Sequence, residues 1–342
     1  MATSPPNCPP ALTYVEDAVP GITRRKAGRG WAYFAPDGER ITDRDQIDRL
    51  NKVGLPPAYK KAWYCPDPNG HLLATGIDAK GRKQYRYHPD FRTARESEKF
   101  DSCRLFGERL ARVRKRVEQD LAGRTVTREH AIASVVRLLD LGVVRIGNEA
   151  YAKENESFGA TTLRQDHAKV TGSRLKLKFK AKSGKMREVT ITDRRLAHFV
   201  RKMQDLPGQH LFQYLGEDGE VHHVGSSEVN AYLSETMGDH FTAKNFRTWH
   251  ASALALHLLA TAKGTLTIKA LMEEVAEKLG NTPAIARRSY VHPAVVALVD
   301  RQIEWRATLK LPRKTHWMSR EERGLLALLE ASPPAEELLA AA

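Results

Sequence analysis

Residues 174–191 read RLKLKFKAKSGKMREVTI and interrupt a sequence that is otherwise patterned as helix. Leucine and phenylalanine alternate with lysine up to the Ser183-Gly184 pair, and a second alternating segment follows it. A period of two places successive side chains on opposite faces of a strand, and a serine–glycine pair suits a tight turn. The segment therefore predicts a β-hairpin with one apolar face and one lysine face.

The charge of this hairpin points to an anionic partner. It carries seven basic residues and no acidic residue between Arg174 and Arg187, a density at which like charges repel unless an anion lies alongside. The whole chain has 55 Lys and Arg against 41 Asp and Glu, a net charge of +14 over 342 residues. No basic amphipathic segment is patterned for a membrane surface, so nucleic acid is the expected partner.

Helical periodicity lies on both sides of the hairpin. Apolar residues recur at spacings of three and four from Phe106 to Leu121, with arginines and lysine between them, which predicts a helix with an apolar seam and a basic outside. Thr127 and Gly142 fit the two ends of a second helix, as N-cap and C′ residue. Residues 331–342 are expected to be loose. Further helices are expected over 194–205, 226–237, 244–262 and 268–280, from Thr282, and from the capping box Ser319–Glu322.

The first 90 residues have a different pattern, with many turns and short alternating segments. Strands are predicted on either side of the turns at 36–38 and 66–70, and residues 84–87 alternate again. Residues 88–95 are the expected interdomain linker. The chain is therefore predicted to be α+β.

Two domains follow from this division. A small β-rich domain is expected over residues 1–90, and a larger, mainly α-helical domain that carries the basic β-hairpin over 91–342. The length is too great for one small domain. Three scattered cysteines fit neither a disulfide framework nor a zinc cluster.

Common catalytic signatures are absent from the sequence. It has no GxxxxGK[ST] phosphate loop, no HExxH zinc motif and no paired CxxC. No cofactor and no metal site are therefore expected, and any chemistry must come from Arg, Lys, Tyr and His. The sequence has no secretion signal, so a cytoplasmic location is expected.

Candidates for that chemistry lie in four segments. They are RIGNE at 145–149, FKAKSGK at 179–185, KNFRT at 244–248 and LGNTPAIARRSYVHP at 279–293. In this order and at these separations they resemble the type IB DNA topoisomerases, in the small poxvirus-like form that bacteria also have. The resemblance covers nearly the whole chain and includes GRKQYRY at 81–87.

The resemblance implies roles for five residues. Tyr290 would be the nucleophile, Arg145 and Arg247 would bind the scissile phosphate, and Lys182 would be the general acid. Asn281 stands where the poxvirus and nuclear enzymes have a histidine, and bacterial members share the asparagine. An asparagine can still donate a hydrogen bond to a phosphate oxygen.

The resemblance also implies how DNA is held. A monomer would close around duplex DNA as a C-shaped clamp and associate with the nucleoid, with no ATP, metal or small-molecule cofactor. The implied DNA-binding residues are Arg82, Lys83, Gln84, Tyr85, Tyr87, Tyr151 and Lys244.

Elementary chemistry agrees with these roles. Attack on a phosphodiester concentrates charge on the phosphate oxygens, and two planar guanidiniums match that geometry better than ammoniums would. The departing sugar 5′-oxygen is a poor leaving group unless a lysine protonates it. Nearby cations should also lower the tyrosine pKa from its ordinary value near 10.

Two alternatives remain open at this stage. A tyrosine site-specific recombinase shares the Arg, Lys, Arg and Tyr set, although it normally begins with a helical domain. A DNA-binding protein without activity would be expected to have lost one of these residues. Of the histidines, His250 and His257 are expected in the core or its lining, His222 and His223 at the surface, and His292 could approach the phosphate.

Overall fold

The computed structural model describes residues 9, 11–123, 125–238 and 241–341. Cys8, one of the three cysteines, lies outside this part of the chain. The chain divides into two compact units, Met1–Lys99 and Phe100–Ala342. The first contains an antiparallel five-stranded sheet and the second is mainly helical, which confirms the α+β prediction.

Unit 1 is built on a sheet with the strand order β2-β1-β3-β4-β5. Its core contains Ile22, Leu50 and Tyr64, each about 1% exposed. Leu50 comes from a helix, α1 (Arg44–Lys52), which begins where the Asp43 side chain accepts a hydrogen bond from the Gln46 amide. The strands are β1 (Ile22–Ala27), β2 (Gly30–Phe34), β3 (Lys60–Tyr64), β4 (Leu72–Ile77) and β5 (Lys83–Tyr87).

The predicted strands of unit 1 are present, and two further elements were not predicted. β3 and β4 pair on either side of the turn at 66–70, and β5 covers the predicted 84–87. No second strand follows the turn at 36–38, where Phe34 and Arg40 form only an isolated bridge. β2 pairs instead with the preceding strand, β1. Neither β1, with its three basic residues, nor the polar α1 has a clear apolar period.

The predicted linker at 88–95 is wrong. A single helix, α2 (Pro89–Asp120), begins directly after β5, with a proline at its first position, where the missing N–H costs no helical bond. The apolar seam begins only at Phe100, so the polar first turns gave no periodic signal. The seam itself is confirmed, since all of its members are at most 5% exposed: Phe106, Leu110, Val113, Val117 and Leu121.

The basic outside predicted for α2 is only partly correct. Arg114 is 13% exposed and pairs with two carboxylates. Arg109 donates to the carbonyl of Met237, and Arg116 donates to Thr236 Oγ1. Three of the five basic residues therefore hold the fold together, while Arg112 and Lys115 are exposed.

Unit 2 packs helices around one core. The helices predicted from periodicity are confirmed, with ends that differ by one or two residues. The helices after α2 are α3 (Arg128–Gly142), α4 (Glu149–Asn155), α5 (Arg194–Gln204), α6 (Ser226–Met237), α7 (Ala243–Thr261), α8 (Ile268–Leu279), α9 (Pro283–Ser289), α10 (Pro293–Val296), α11 (Gln302–Thr308), α12 (Arg320–Glu330) and α13 (Ala335–Ala340).

The predicted hairpin is confirmed and has a third strand. β7 (Arg174–Lys180) and β8 (Met186–Thr192) pair antiparallel, and β6 (Ala168–Thr171) pairs with the other edge of β7. Leu175, Leu177 and Phe179 are buried, whereas the intervening lysines are exposed or half-buried. A short hairpin of β9 (Gln213–Leu215) and β10 (Val221–His223) lies between α5 and α6.

Two end predictions are wrong. Gly142 is the last residue of α3 and Val143 takes the left-handed position, with φ 51°. The tail expected to be loose contains α13, where Ala335 is fully buried and its amide donates to Asp101 Oδ1 at 2.9 Å. None of the described helices is both long enough and apolar enough to cross a membrane.

Candidate active site

Arg145 lies in a short irregular segment that is fixed at its backbone. The segment leaves α3 through Val143 and ends at the N-cap of α4. The Arg145 carbonyl accepts the Ala160 amide at 2.8 Å, and the Ile146 carbonyl accepts the Thr161 amide at 2.7 Å. Both ends and the middle of the segment are therefore held, which limits the positions that the Arg145 guanidinium can reach.

Two glycines allow this arrangement. Gly147 has φ 101°, a conformation that only glycine adopts without strain. Gly159 packs directly against the segment, because a Cβ atom there would lie 2.5 Å from the Gly147 nitrogen and 2.6 Å from the Arg145 oxygen. The glycine in RIGNE is thus required by the backbone that presents Arg145.

Arg247 is placed in the interior by α7. Its side chain is 2% exposed, and its two terminal nitrogens donate to the carbonyls of Val143 at 2.6 Å and Leu279 at 3.0 Å. These carbonyls belong to the C-terminal ends of α3 and α8, where helix carbonyls lack intrahelical partners. Arg247 therefore joins the segment that carries Arg145 to the segment that carries Asn281.

Tyr290 is brought to Arg247 by the short helix α9. This helix begins at Pro283 after the Thr282 cap and ends with Tyr290 itself as its C-cap. The Arg247 guanidinium lies 4.8 Å from the centre of the Tyr290 ring. The residues after Tyr290 are tied to α7, because Ser252 Oγ accepts the His292 amide at 2.9 Å.

Asn281 completes the group. Its Oδ1 accepts a short hydrogen bond from Arg145 Nη2. Its Nδ2 is buried without a hydrogen-bond partner among the described residues, and the same is true of Arg247 Nε. A buried donor without an acceptor costs about 1–3 kcal/mol, so two of them beside one tyrosine indicate a pocket built for an anion.

The electrostatics of the pocket favour a reactive phenol. Burial alone would raise the Tyr290 pKa, but the charges of Arg247 and Arg145 outweigh it, and the pKa lies below its ordinary value. Burial and the neighbouring Arg145 lower the Arg247 pKa to about 10, which still leaves it charged at neutral pH.

A third arginine of this pocket was not singled out from the sequence. Arg187 on β8 is half-buried, and burial together with Arg247 and Arg145 lowers its pKa to about 10. It donates to the carbonyls of Lys278 at 2.9 Å and Val143 at 3.3 Å, so it joins the same two helix ends as Arg247.

The signal for Arg187 was present in the hairpin. In the observed register it pairs with Phe179, while Val189 pairs with Leu177 and Ile191 with Leu175. Arg187 therefore stands on the apolar face of the hairpin. An arginine at an apolar position of an alternating strand needs buried acceptors. This break in the alternation marks Arg187 as a residue with a special role.

Lys182 is the one predicted catalytic residue that the structure leaves apart. It is exposed at the hairpin tip, where Ser183 and Gly184 have φ values of 67° and 74°. In the part of the chain that the structure describes, Lys182 makes no hydrogen bond or ion pair with the other four. The hairpin nevertheless borders the pocket, because Lys185 and Arg187 line one cleft with Asn281.

The predicted DNA contacts occupy several surfaces. In unit 1, Arg82 pairs with Asp78 at 2.8 Å and Lys83 with Asp17 at 2.5 Å. Gln84 Nε2 also donates to Asp78, at 3.0 Å. The exposed Tyr85 and Tyr87 rings stack with centres 5.9 Å apart.

The two residues of unit 2 that are predicted to contact DNA lie close in sequence to Arg145 and Arg247. Tyr151 is half-buried in the first turn of α4. Lys244 is exposed in the first turn of α7, three residues before Arg247.

The histidines near the pocket have structural partners. His250 Nε2 lies 2.8 Å from Asp140 Oδ1, and His257 pairs with Glu321 at 3.4 Å. His292 is 4% exposed and its Nδ1 accepts the Ala294 amide, so it caps α10. These contacts agree with core and lining roles for His250 and His257.

Comparison with known proteins identifies the family. Residues 88–310 match the catalytic core of eukaryotic DNA topoisomerase I, and residues 30–78 match the N-terminal domain of bacterial DNA topoisomerase IB. A DNA topoisomerase 1B of Acanthamoeba polyphaga mimivirus is 33% identical over 286 residues, which cover 79% of this chain and 85% of that protein. A DNA topoisomerase 1B of vaccinia virus is 23% identical and covers 78% and 90%.

A DNA topoisomerase 1 of Mycosarcoma maydis is 28% identical over 66% of this chain and 22% of its own length. The family match covers most of the helical unit, including the C-terminal ends of α3 and α8 that Arg247 joins. The chain belongs to the type IB DNA topoisomerases, enzymes that act on DNA.

Proposed function

We propose that the enzyme relaxes supercoiled duplex DNA by cutting one strand with Tyr290, allowing rotation, and resealing the same strand. The observation that carries this proposal is the pair of buried, unpartnered donors on Arg247 and Asn281 beside a phenol of lowered pKa. A phosphodiester supplies both the missing acceptors and the electrophile.

In the cleavage step the Tyr290 oxygen forms a bond to phosphorus and the bond to the sugar 5′-oxygen breaks. The product is a 3′-phosphotyrosine and a 5′-hydroxyl. Arg145, Arg247 and the Asn281 amide stabilise the charge that develops on the phosphate oxygens, as fixed donors in a closed site do. The covalent bond retains the energy of the phosphodiester, so religation requires no ATP.

Lys182 is proposed as the acid that protonates the departing 5′-oxygen. Its position on an exposed tip bordering the Asn281 cleft lets it approach a strand that lies over the pocket. Because the tip is exposed, DNA itself would supply the burial and the neighbouring charges that tune this lysine.

The remaining residues are proposed to grip DNA. Phosphate contacts by Arg82, Lys83 and Lys244 would supply affinity that falls steeply with salt. Gln84, Tyr85, Tyr87 and Tyr151 would contact the bases or sugars, since glutamine can read adenine edges. The enzyme would act as a monomeric clamp on chromosomal DNA in the cytoplasm, with residues of both units gripping the duplex.

Replacing Tyr290 with Phe tests the nucleophile. The variant should lose plasmid relaxation and the covalent DNA adduct while it keeps duplex binding, because only the attacking oxygen is removed. Relaxation is measured without ATP or magnesium, and the adduct is mapped by mass spectrometry in the unmodified enzyme. Residual relaxation by Tyr290→Phe, or an adduct on another residue, would refute the assignment.

Replacing Lys182 with Ala tests the general acid. Cleavage of ordinary DNA should slow by about 10²–10⁴-fold, the usual contribution of acid–base catalysis. A substrate with a 5′-bridging sulfur, which leaves without protonation, should restore most of the rate. Lys185→Ala is the matched control and should respond equally to both substrates. Equal slowing of Lys182→Ala on both substrates would remove its role as an acid.

The recombinase alternative loses its support. The N-terminal unit is a β-sheet that matches the bacterial type IB N-terminal domain. The alternative of an inactive DNA-binding protein is disfavoured because Arg145, Lys182, Arg247 and Tyr290 are all retained.

A further inference from the structure

Three side chains of metal-ligating types converge in unit 2, and none of them is among the five residues assigned to cleavage. Glu149, His210 and His223 each offer a ligand atom, and these atoms all lie within 4.8 Å of one another. His210 Nε2 is 3.4 Å from Glu149 Oε2. The two imidazole rings stack with centres 4.5 Å apart and an angle of 15° between their planes.

The backbone that carries these residues is held in place. His210 forms a bridge with Arg164, and the next amide, of Leu211, donates to Leu163 at 2.8 Å. His223 is the last residue of β10 and pairs with Gln213. Glu149 is the first residue of α4 and follows its Asn148 cap. The cluster is therefore set by three separate elements and not by one loose loop.

The donor set matches a particular class of metal ion. Two imidazole nitrogens and one carboxylate oxygen suit zinc and similar divalent transition metals, which bind such ligands at about 2.0–2.2 Å. Metal binding needs neutral imidazole.

We propose that Glu149, His210 and His223 form a surface site for Zn²⁺, with a fourth coordination position occupied by water. His210 Nε2 and Glu149 Oε2, 3.4 Å apart, already have the spacing of two ligands on a tetrahedral zinc, and all three ligand atoms lie within 4.8 Å of one another. His223 is exposed and His210 half-buried, so the side chain of His223 has room to turn towards the other two ligands.

Zinc at this site would join the start of α4 to the β9–β10 hairpin. Glu149 lies four residues after Arg145, and Tyr151 is in the same helical turn. The metal would therefore stabilise the folded unit next to the Arg145 segment without touching the tyrosine pocket. A ligand that binds only the folded state raises the unfolding temperature, and the rise grows with the logarithm of the free ligand concentration relative to its Kd.

The experiment uses the full-length chain, freed of metal with a chelator and titrated with Zn²⁺ by calorimetry. One Zn²⁺ should bind per chain and raise the unfolding temperature. His210→Ala, His223→Ala and Glu149→Gln should each weaken binding by about 10-fold or more, as loss of one of three ligands requires. Co²⁺ should give the visible absorption of a four-coordinate nitrogen–oxygen site, and His223→Ala should lose it.

His222→Ala is the matched control, because His222 is the next residue on β10 and pairs with Asp218 at 2.9 Å. It should bind Zn²⁺ as the unmodified chain does. Binding that is unchanged in His223→Ala, or equally weakened in His222→Ala, would overturn the proposal. His223 is exposed, so its variant remains informative even where His210→Ala does not fold.

Plasmid relaxation separates this inference from the proposed function. The metal-free chain and its His223→Ala variant should relax DNA equally, since neither the tyrosine nor its arginines change. Loss of relaxation in Tyr290→Phe bears only on the nucleophile, and loss of Zn²⁺ binding in His223→Ala bears only on the metal site.

Discussion

Two arginine clusters lie in the same helical unit and have opposite surroundings. Arg114 is enclosed by the carboxylates of Asp140 and Glu322, at 2.8 and 2.7 Å. Arg247 is more deeply buried, yet its guanidinium donates to the carbonyls of Val143 and Leu279, and its Nε has no acceptor among the described residues. The first arginine is neutralised by the protein, and the second keeps its charge for a ligand.

The pKa values express the same difference. Around Arg114, the paired guanidinium outweighs burial and holds the pKa values of Asp140 and Glu322 below their ordinary ranges. Around Arg247, burial and Arg145 lower the pKa of the arginine itself. A buried cation near other cations reduces stability, and such sites occur where the charge has a function.

The Arg114 cluster also joins four helices. Arg114 is on α2, Asp140 on α3 and Glu322 on α12, and the Trp249 indole on α7 donates to Glu322 at 3.0 Å. The Arg247 cluster joins two helix ends and a tyrosine. Replacing each arginine with methionine, which keeps most of the side-chain volume, should therefore separate stability from activity.

The largest effect on stability is expected for Arg114→Met. Removing the cation leaves the buried carboxylates of Asp140 and Glu322 without their guanidinium partner, so the free energy of unfolding should fall by about 3–5 kcal/mol. Denaturant unfolding at neutral pH measures it. Arg112→Met, an exposed position on the same helix, should change stability by less than about 0.5 kcal/mol. A loss for Arg114→Met no greater than this control would contradict the structural role.

Arg247→Met should have the reverse profile. Cleavage should slow by about 10²–10³-fold, because one fixed donor to the developing phosphate charge is lost. The free energy of unfolding should fall by only about 1–2 kcal/mol, for two lost hydrogen bonds to carbonyls. Single-turnover cleavage and denaturant unfolding are compared on one preparation. A stability loss as large as that of Arg114→Met would mean that the two clusters do not differ in the proposed way.

The smallest expected effect is a difference in pH dependence. Asp140 and Glu322 have lowered pKa values in the folded state, so their contribution is complete above the ordinary values of 3.8 and 4.5 and is lost as the pH falls further. Arg114→Met should therefore lower the free energy of unfolding by more at pH 7 than at pH 4. Arg247→Met should lower the free energy of unfolding by the same amount at both pH values, because Arg247 forms no ion pair with a carboxylate among the described residues. Unfolding at the two pH values measures both costs, and a constant cost for Arg114→Met would exclude carboxylate pairing as its cause.

Much of the secondary structure followed from local sequence. The seam of α2, the capped start of α3 and the basic hairpin each depend on periods and caps that act within a few residues. Elements without a local period were missed: the polar first turns of α2, the basic strand β1 and the small helix α13. Their positions depend on the residues they pack against, and those residues are distant in the sequence.

The sequence by itself determined which residue types could do chemistry and, through resemblance, that Arg145, Lys182, Arg247, Asn281 and Tyr290 belong together. Only the tertiary structure decided which arginines keep free donors, because a guanidinium at the surface and one between two helix ends have the same local sequence pattern. It likewise assigned Arg187 to the pocket, kept Lys182 outside it, and brought His210 and His223 together. These outcomes depend on burial and on partners distant along the chain, and burial is a property of the packed chain alone.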